Sequence, residues 1–172
     1  MKKQLPFVFA VAAISLLMFC STSVRADSNV EVPYVGTVAG TNFLAGQTPE
    51  GAPILVNTAR EVSNLGGACH QENRLVIVPL FASDNPTIVV GYRAYGQTVS
   101  HKPDGDVFIT YILEQRLLDR SPVPFAGTFT ITGGTGRYFG ATGGGVIHGL
   151  DHGDGVFRNS YQGKIWVGPP GR

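Results

Sequence analysis

The chain is predicted to fold as an all-β protein, a single closed antiparallel β-barrel of about eight strands, and three observations predict it. Glycine is concentrated toward the C-terminus, with 13 of the 23 glycines between Gly127 and Gly168. Each glycine inside a helix costs about 1 kcal/mol relative to alanine, so this third of the chain reads as strands, bulges and tight turns. Apolar and polar residues alternate with period two in the same region, the pattern of strands with one buried and one wet face. Seven to nine strand-like segments are separated by turn residues at roughly 8–12-residue intervals, the spacing of a sandwich or barrel. Several segments are apolar on both faces. That favours a barrel filled by side chains or a ligand and covered outside by a neighbouring subunit or by the chain itself.

The first stretch is an address. Lys2 and Lys3 precede an apolar run from Leu5 to Phe19 that is too short for the ~20 residues of a membrane span. Val24-Arg25-Ala26 then supplies small residues around an expected signal-peptidase site, with cleavage after Ala26. Phe19, bulky beside Cys20, disfavours a lipid anchor there. A secreted or periplasmic location follows, with the barrel in residues 27–172 and Cys69 as its lone cysteine, expected to be a small buried hydrophobe. Without Lys2, Lys3 and Arg25, ten basic side chains face twelve acidic ones. Such a balance carries no electrostatic footprint for nucleic acid or an anionic membrane surface. No later segment is apolar enough to span a bilayer.

Element by element, Val30 to Val38 places Val30, Val32, Tyr34, Gly36 and Val38 on one face. Thr41 to Gly67 reads as a loop mixed with one or two short strands. Leu75 to Phe81 and Thr87 to Tyr95 are β-branched and aromatic, joined by the turn signal Asp84-Asn85-Pro86. Lys102 to Asp106 forms a second turn ahead of Val107 to Leu113. Glu114 to Arg120 is read as a strand continuation rather than a short helix, given its β-branched lead-in and Pro122. Phe125, Phe129 and Ile131 share a face opposite Thr128, Thr130 and Thr132. Phe157, Tyr161, Ile165 and Val167 likewise oppose Arg158, Ser160, Gln162 and Lys164.

The first of these two strands runs into Gly127-Thr-Phe-Thr-Ile-Thr-Gly-Gly-Thr-Gly-Arg-Tyr-Phe-Gly-Ala-Thr-Gly-Gly-Gly145. Gly133, Gly134, Gly136 and Gly140 suit positive φ or close backbone approach. Arg137 can reach carbonyls or a carboxylate, and Tyr138 and Phe139 are expected to anchor the turn in apolar surroundings. The segment resembles the Gly-Gly-Thr-Gly-Arg-Phe-x-Gly-Ala-x-Gly signature of the allene oxide cyclase-like and dirigent-like β-barrels, above all small secreted bacterial proteins of unassigned function. Asp104-Gly-Asp106 and Tyr161-Gln-Gly163 are similar to weaker features of the group. The resemblance implies an eight-stranded barrel with a central cavity, often trimeric in plant relatives. It carries over no catalytic residue, because the matching positions are turn-formers.

Chemistry-bearing constellations are sparse. Gly134-x-Gly136 with Gly140 is no dinucleotide loop, since Phe139 stands where the third glycine belongs and no helix follows. His148 and His152 on a strand would stand about 13 Å apart, too far to share a zinc with ~2.1 Å bonds, and neither a metal nor another cofactor is expected. The fragment Asp151 to Gly155 lacks the terminal Glu of a calcium loop. Glu114 and Arg116 share a strand face and, with Asp106 and Arg137, are the candidate catalytic groups. Tyr92, Tyr95, Phe108, Phe129, Tyr161 and Trp166 are candidate wall residues for a ligand. The expected function is binding of an apolar small molecule, or an interaction module, without chemistry of its own. The alternative is an isomerase or cyclase that confines a reactive apolar substrate. A homo-oligomer, dimer or trimer, is a third expectation and would need a large apolar outer patch.

Overall fold

A computed structural model describes residues 29–168; the export segment expected at residues 1–26, with Cys20, lies outside them. Nine strands follow one another: β1 (Val30–Thr41), β2 (Phe43–Gln47), β3 (Pro53–Ser63), β4 (Gly67–Phe81), β5 (Val89–Lys102), β6 (Gly105–Arg116), β7 (Val123–Gly134), β8 (Thr142–Gly153) and β9 (Val156–Val167). Among the described residues the sole helical element is one 3₁₀ turn at Gly136–Tyr138. Sequence neighbours pair antiparallel from β3 through β9, and β1 pairs with both β9 and β3. Eight strands therefore close on themselves, which removes the unpaired edges of an open sheet. The predicted barrel is the observed one.

β2 is the extra strand. It takes up the edge of β3 where β1 leaves it, pairing Phe43 to Gln47 with Val56 to Pro53, whereas β1 pairs Gly36 to Gly40 with Ser63 to Ala59. The sequence reading of residues 41–67 is corrected here, because β3 is an 11-residue strand rather than a short one. Its pattern is inverted: Asn57, Glu61 and Ser63 are buried while Val56 and Val62 stand exposed on the outer face. Period-two logic presumes an apolar interior, and on β3 the interior is polar. The strand expected from Thr87 begins at Val89, and β6 runs as strand to Arg116.

Strand directions define two ends. The base carries the connections after β3, β5 and β7; the mouth carries those around β2, β4–β5, β6–β7 and β8–β9. The base is plugged. Val107, Ile131, Tyr138, Ala141, Ile165 and Val167 are buried there, and Tyr138 donates its hydroxyl proton to the Leu65 carbonyl at 3.2 Å. The glycine-rich turn delivers Tyr138. Gly136 has φ +53, and a Cβ there would lie 2.3 Å from the Asp104 carbonyl oxygen, so the close approach of the β5–β6 and β7–β8 turns requires glycine. The Arg137 amide donates to that same carbonyl at 2.9 Å, and its guanidinium stands 3.6 Å from the Asp104 carboxylate. Phe139 departs from expectation: it is 81% exposed and anchors nothing.

Candidate functional site

Between the plugged base and the mouth the barrel encloses a cavity of about 290 Å³. This is the low end of the ~300–1,000 Å³ of small-molecule sites. The lining divides by strand. β6, β7 and β8 contribute Ile109, Tyr111, Leu113, Phe125, Phe129 and Ile147, a largely apolar half. β3, β4 and β5 contribute Asn57, Gln71, Asn73 and Thr98, with Leu55, Leu75, Ile77 and Ala94 nearer the mouth.

The polar half is a connected ladder. Thr98 donates to Asn73 Oδ1, Asn73 Nδ2 to Asn57 Oδ1 at 2.7 Å, and Asn57 Nδ2 to Asn42 Oδ1 at 2.7 Å. Each carboxamide nitrogen carries two protons. One proton each on Asn57 and Asn73 thus serves the ladder, and both residues line the cavity.

The floor is formed by Tyr34, Tyr161 and Phe129, whose rings meet tilted or edge to face at centroid separations of 4.7 to 6.0 Å. Beneath them lies a buried ion pair. Glu61 and Lys102 each have 0% side-chain exposure and are in direct contact. Glu61 Oε1 accepts from Lys102, from Tyr161 and, at 3.4 Å, from Tyr34. Glu61 Oε2 accepts from Ser100 and, at 2.9 Å, from Gln71 Nε2. Lys102 also donates to Ser63 at 2.8 Å and stands 5.4 Å from the centre of the Tyr34 ring. A Cβ on Gly36 would fall 2.4 Å from the Tyr161 hydroxyl, so glycine on β1 makes the space in which that phenol reaches Glu61.

The electrostatics follow from this packing. Burial alone would push the Glu61 carboxyl up. The Lys102 ammonium and the hydrogen bonds from Lys102, Ser100 and Tyr161 outweigh it and hold the carboxyl below the usual carboxylate range. Burial first pushes the phenols of Tyr34 and Tyr161 far above their usual range, with the Glu61 charge next at Tyr34 and the neighbouring Tyr34, then Glu61, next at Tyr161; burial does the same to Tyr111. The floor is therefore an ionised carboxylate saturated with donors beneath two firmly protonated phenols.

The candidate residues fall into three groups. Phe129 and Tyr161 line the cavity, and Tyr92 sits at its mouth. Tyr95, Phe108 and Trp166 are corrected: each occupies the outward parity of its strand, opposite the inward Gly96, Val107 and Ile165. Of the candidate catalytic groups only Glu114 borders the cavity, at its mouth end, and the four do not converge on one point. Glu114 and Arg116 share the outer face of β6, and Glu114 pairs across the strands with Arg93, its Oε1 2.8 Å from Arg93 Nε. Asp106 accepts from His101 on the outer wall, and Arg137 belongs to the base turn. Cys69 is half-buried with Sγ 3.4 Å from Lys102 Nζ, rather than a member of the apolar core. Burial and the nearby Glu61 push its thiol up, away from a reactive thiolate. His148 and His152 lie exposed along the single strand β8.

Glu61 and Lys102 are absent from the sequence-derived candidates. They lie on strands β3 and β5, and their partners come from β1, β4 and β9 as well. The available signal was faint: Asn57, Glu61 and Ser63, and Thr98, Ser100 and Lys102, keep one strand parity, but the intervening Thr58, Arg60 and His101 are polar as well. Only closure of the barrel turns those rows inward. No family model, curated protein or solved structure matches the chain.

Proposed function

We propose that this barrel binds one neutral, largely apolar small molecule bearing a carbonyl or hydroxyl oxygen, and performs no chemistry of its own. The observation that carries the reading is the division of one enclosed cavity into an apolar half and a hydrogen-bonded amide ladder. The ligand's apolar body would pack on Ile109, Phe129 and Ile147, and its oxygen would accept from Asn57 or Asn73. The Tyr34 and Tyr161 protons are directed at Glu61, so those oxygens offer lone pairs to a ligand hydroxyl. The resemblance of the glycine-rich turn to the allene oxide cyclase-like and dirigent-like barrels belongs to this proposal, and the eight-stranded closure agrees with it in architecture.

Catalysis by confinement is the second reading, favoured by the enclosure of the cavity. Proton-transfer chemistry is disfavoured. A general acid works best with a pKa near the operating pH, and the Tyr34 and Tyr161 phenols are displaced upward from an already high value.

A thermal-shift panel of small cyclic ketones, alcohols and matched hydrocarbons tests the binding reading. Oxygenated members are expected to raise Tm, since a ligand at 100 times its Kd stabilises by about 2.7 kcal/mol. Asn57→Leu and Asn73→Leu should each weaken the preference for oxygenated over hydrocarbon members, and the double variant should abolish it. No shift from any member would overturn the proposal, and turnover of any member would favour the second reading.

A further inference from the structure

The outer wall carries a second cluster that the cavity does not use. His70 and Glu72 project from the outer face of β4, and His101 lies directly across from His70 on β5. The two imidazoles stack with centroids 4.4 Å apart, and one ligand atom from each of the three side chains falls within 4.8 Å of the others. Among the described residues one buried side-chain polar atom has no hydrogen-bond partner, and it is His101 Nε2. It faces Glu72 Oε1 at 3.9 Å.

The other nitrogen of that ring is occupied. His101 Nδ1 lies 2.9 Å from Asp106 Oδ1, on the neighbouring strand β6. A carboxylate only accepts, so Nδ1 carries the proton and Nε2 of the neutral ring is left with its lone pair. A carboxylate behind one imidazole nitrogen, with the other nitrogen free, is the arrangement that orients a metal-ligating histidine.

We propose that His70, Glu72 and His101 form a binding site for a late first-row divalent cation of the zinc class, with Asp106 as the positioning residue. The donor set selects the metal: two imidazoles and one carboxylate suit zinc, copper or nickel, whereas magnesium and calcium take oxygen shells. The geometry is within reach. Two ligands about 2.1 Å from a tetrahedral ion stand about 3.4 Å apart, so the widest gap closes by little more than an ångström through rotation of the exposed His70 and Glu72 toward the held His101. Three protein ligands leave a fourth position to water or a ligand. The site lies on the outer wall at the base end, separate from the cavity, and its fate does not depend on that of the binding proposal.

Titration of untagged protein with zinc alone, followed by calorimetry, tests this. One zinc per chain is expected, with His70→Ala and His101→Ala each removing the binding. Asp106→Asn should weaken it about 10–100-fold through misorientation of His101, with no change in Tm without metal. The double variant His148→Ala/His152→Ala should bind as the parent does. Glu72→Gln, conservative and on the surface, is expected to weaken binding even if a histidine variant fails to fold. Absence of stoichiometric binding, binding indifferent to Glu72→Gln and Asp106→Asn, or binding lost in the His148/His152 variant would each overturn the proposal.

Discussion

At the scale of single residues, the Glu61–Lys102 pair governs the barrel interior. Removing one member of a buried pair strands the other in a low dielectric, which costs about 3–5 kcal/mol. Glu61→Gln is therefore expected to destabilise the fold by that amount in denaturant unfolding, with Lys102 left charged and unpaired. Replacing both by methionine should cost far less, because a well-packed apolar pair is often neutral or better than a buried ion pair. The pH dependence has a definite sign. The Glu61 carboxyl is held low in the fold, so its stabilisation is present above the unfolded value of about 4.3 and is lost as pH falls through the lower folded value. Acid titration of stability should show this loss in the parent chain and a shallower curve in Glu61→Gln; parallel curves would refute the assignment. Gly36→Ala offers an independent check at the same spot. Its new methyl would displace the Tyr161 hydroxyl from Glu61 and press on the Val62 carbonyl 2.7 Å away, lowering Tm without altering any charge.

At the scale of elements, strand parity decides which residues matter. β7 and β9 were legible because their inward rows, Phe125-Phe129-Ile131 and Phe157-Tyr161-Ile165, are apolar and their outward rows polar. β3 and the base half of β5 were not, because their inward rows are polar and Val56, Val62 and Val99 face outward. Composition assigns the wrong face to such a strand; only the ring of neighbours corrects it. The same parity removes Tyr95, Phe108 and Trp166 from the cavity and explains why Phe129 and Tyr161 belong there. The glycine-rich turn was legible as a turn, and Tyr138 as its anchor, whereas Phe139 carried no signal that distinguishes exposure from burial. Its energetic role is testable. Gly136→Ala places a side chain in the left-handed region, which costs roughly 1–2 kcal/mol, and against the Asp104 carbonyl besides. A Tm drop of several degrees is expected, and an unchanged Tm would show that the two base turns need not meet so closely.

At the scale of the whole molecule, the barrel is asymmetric along its axis and around its circumference. Along the axis, Tyr138 and the buried cluster seal the base while Tyr92, Gln115 and Asp151 ring the mouth. Around the circumference, amides on one side face aromatic and aliphatic side chains on the other. A hydrophobic core built for stability alone has no reason to keep a cavity with a hydrogen-bonded amide ladder along one wall, since interiors otherwise pack to crystal-like density. For the proposed binding role, the size and mixed polarity of the cavity favour a small, neutral, mostly apolar ligand with one oxygen.

The most direct test is a calorimetric titration of the parent chain and of Ala94→Phe with an oxygenated ligand that raises Tm. Ala94 sits between Ile77 and Leu113 on the cavity wall, so a phenyl ring there fills the space a ligand would take. The parent is predicted to bind one molecule with a negative heat-capacity change, the mark of buried apolar surface, and Ala94→Phe to fold normally and bind none. Equal binding by both chains would place the ligand elsewhere and contradict the account.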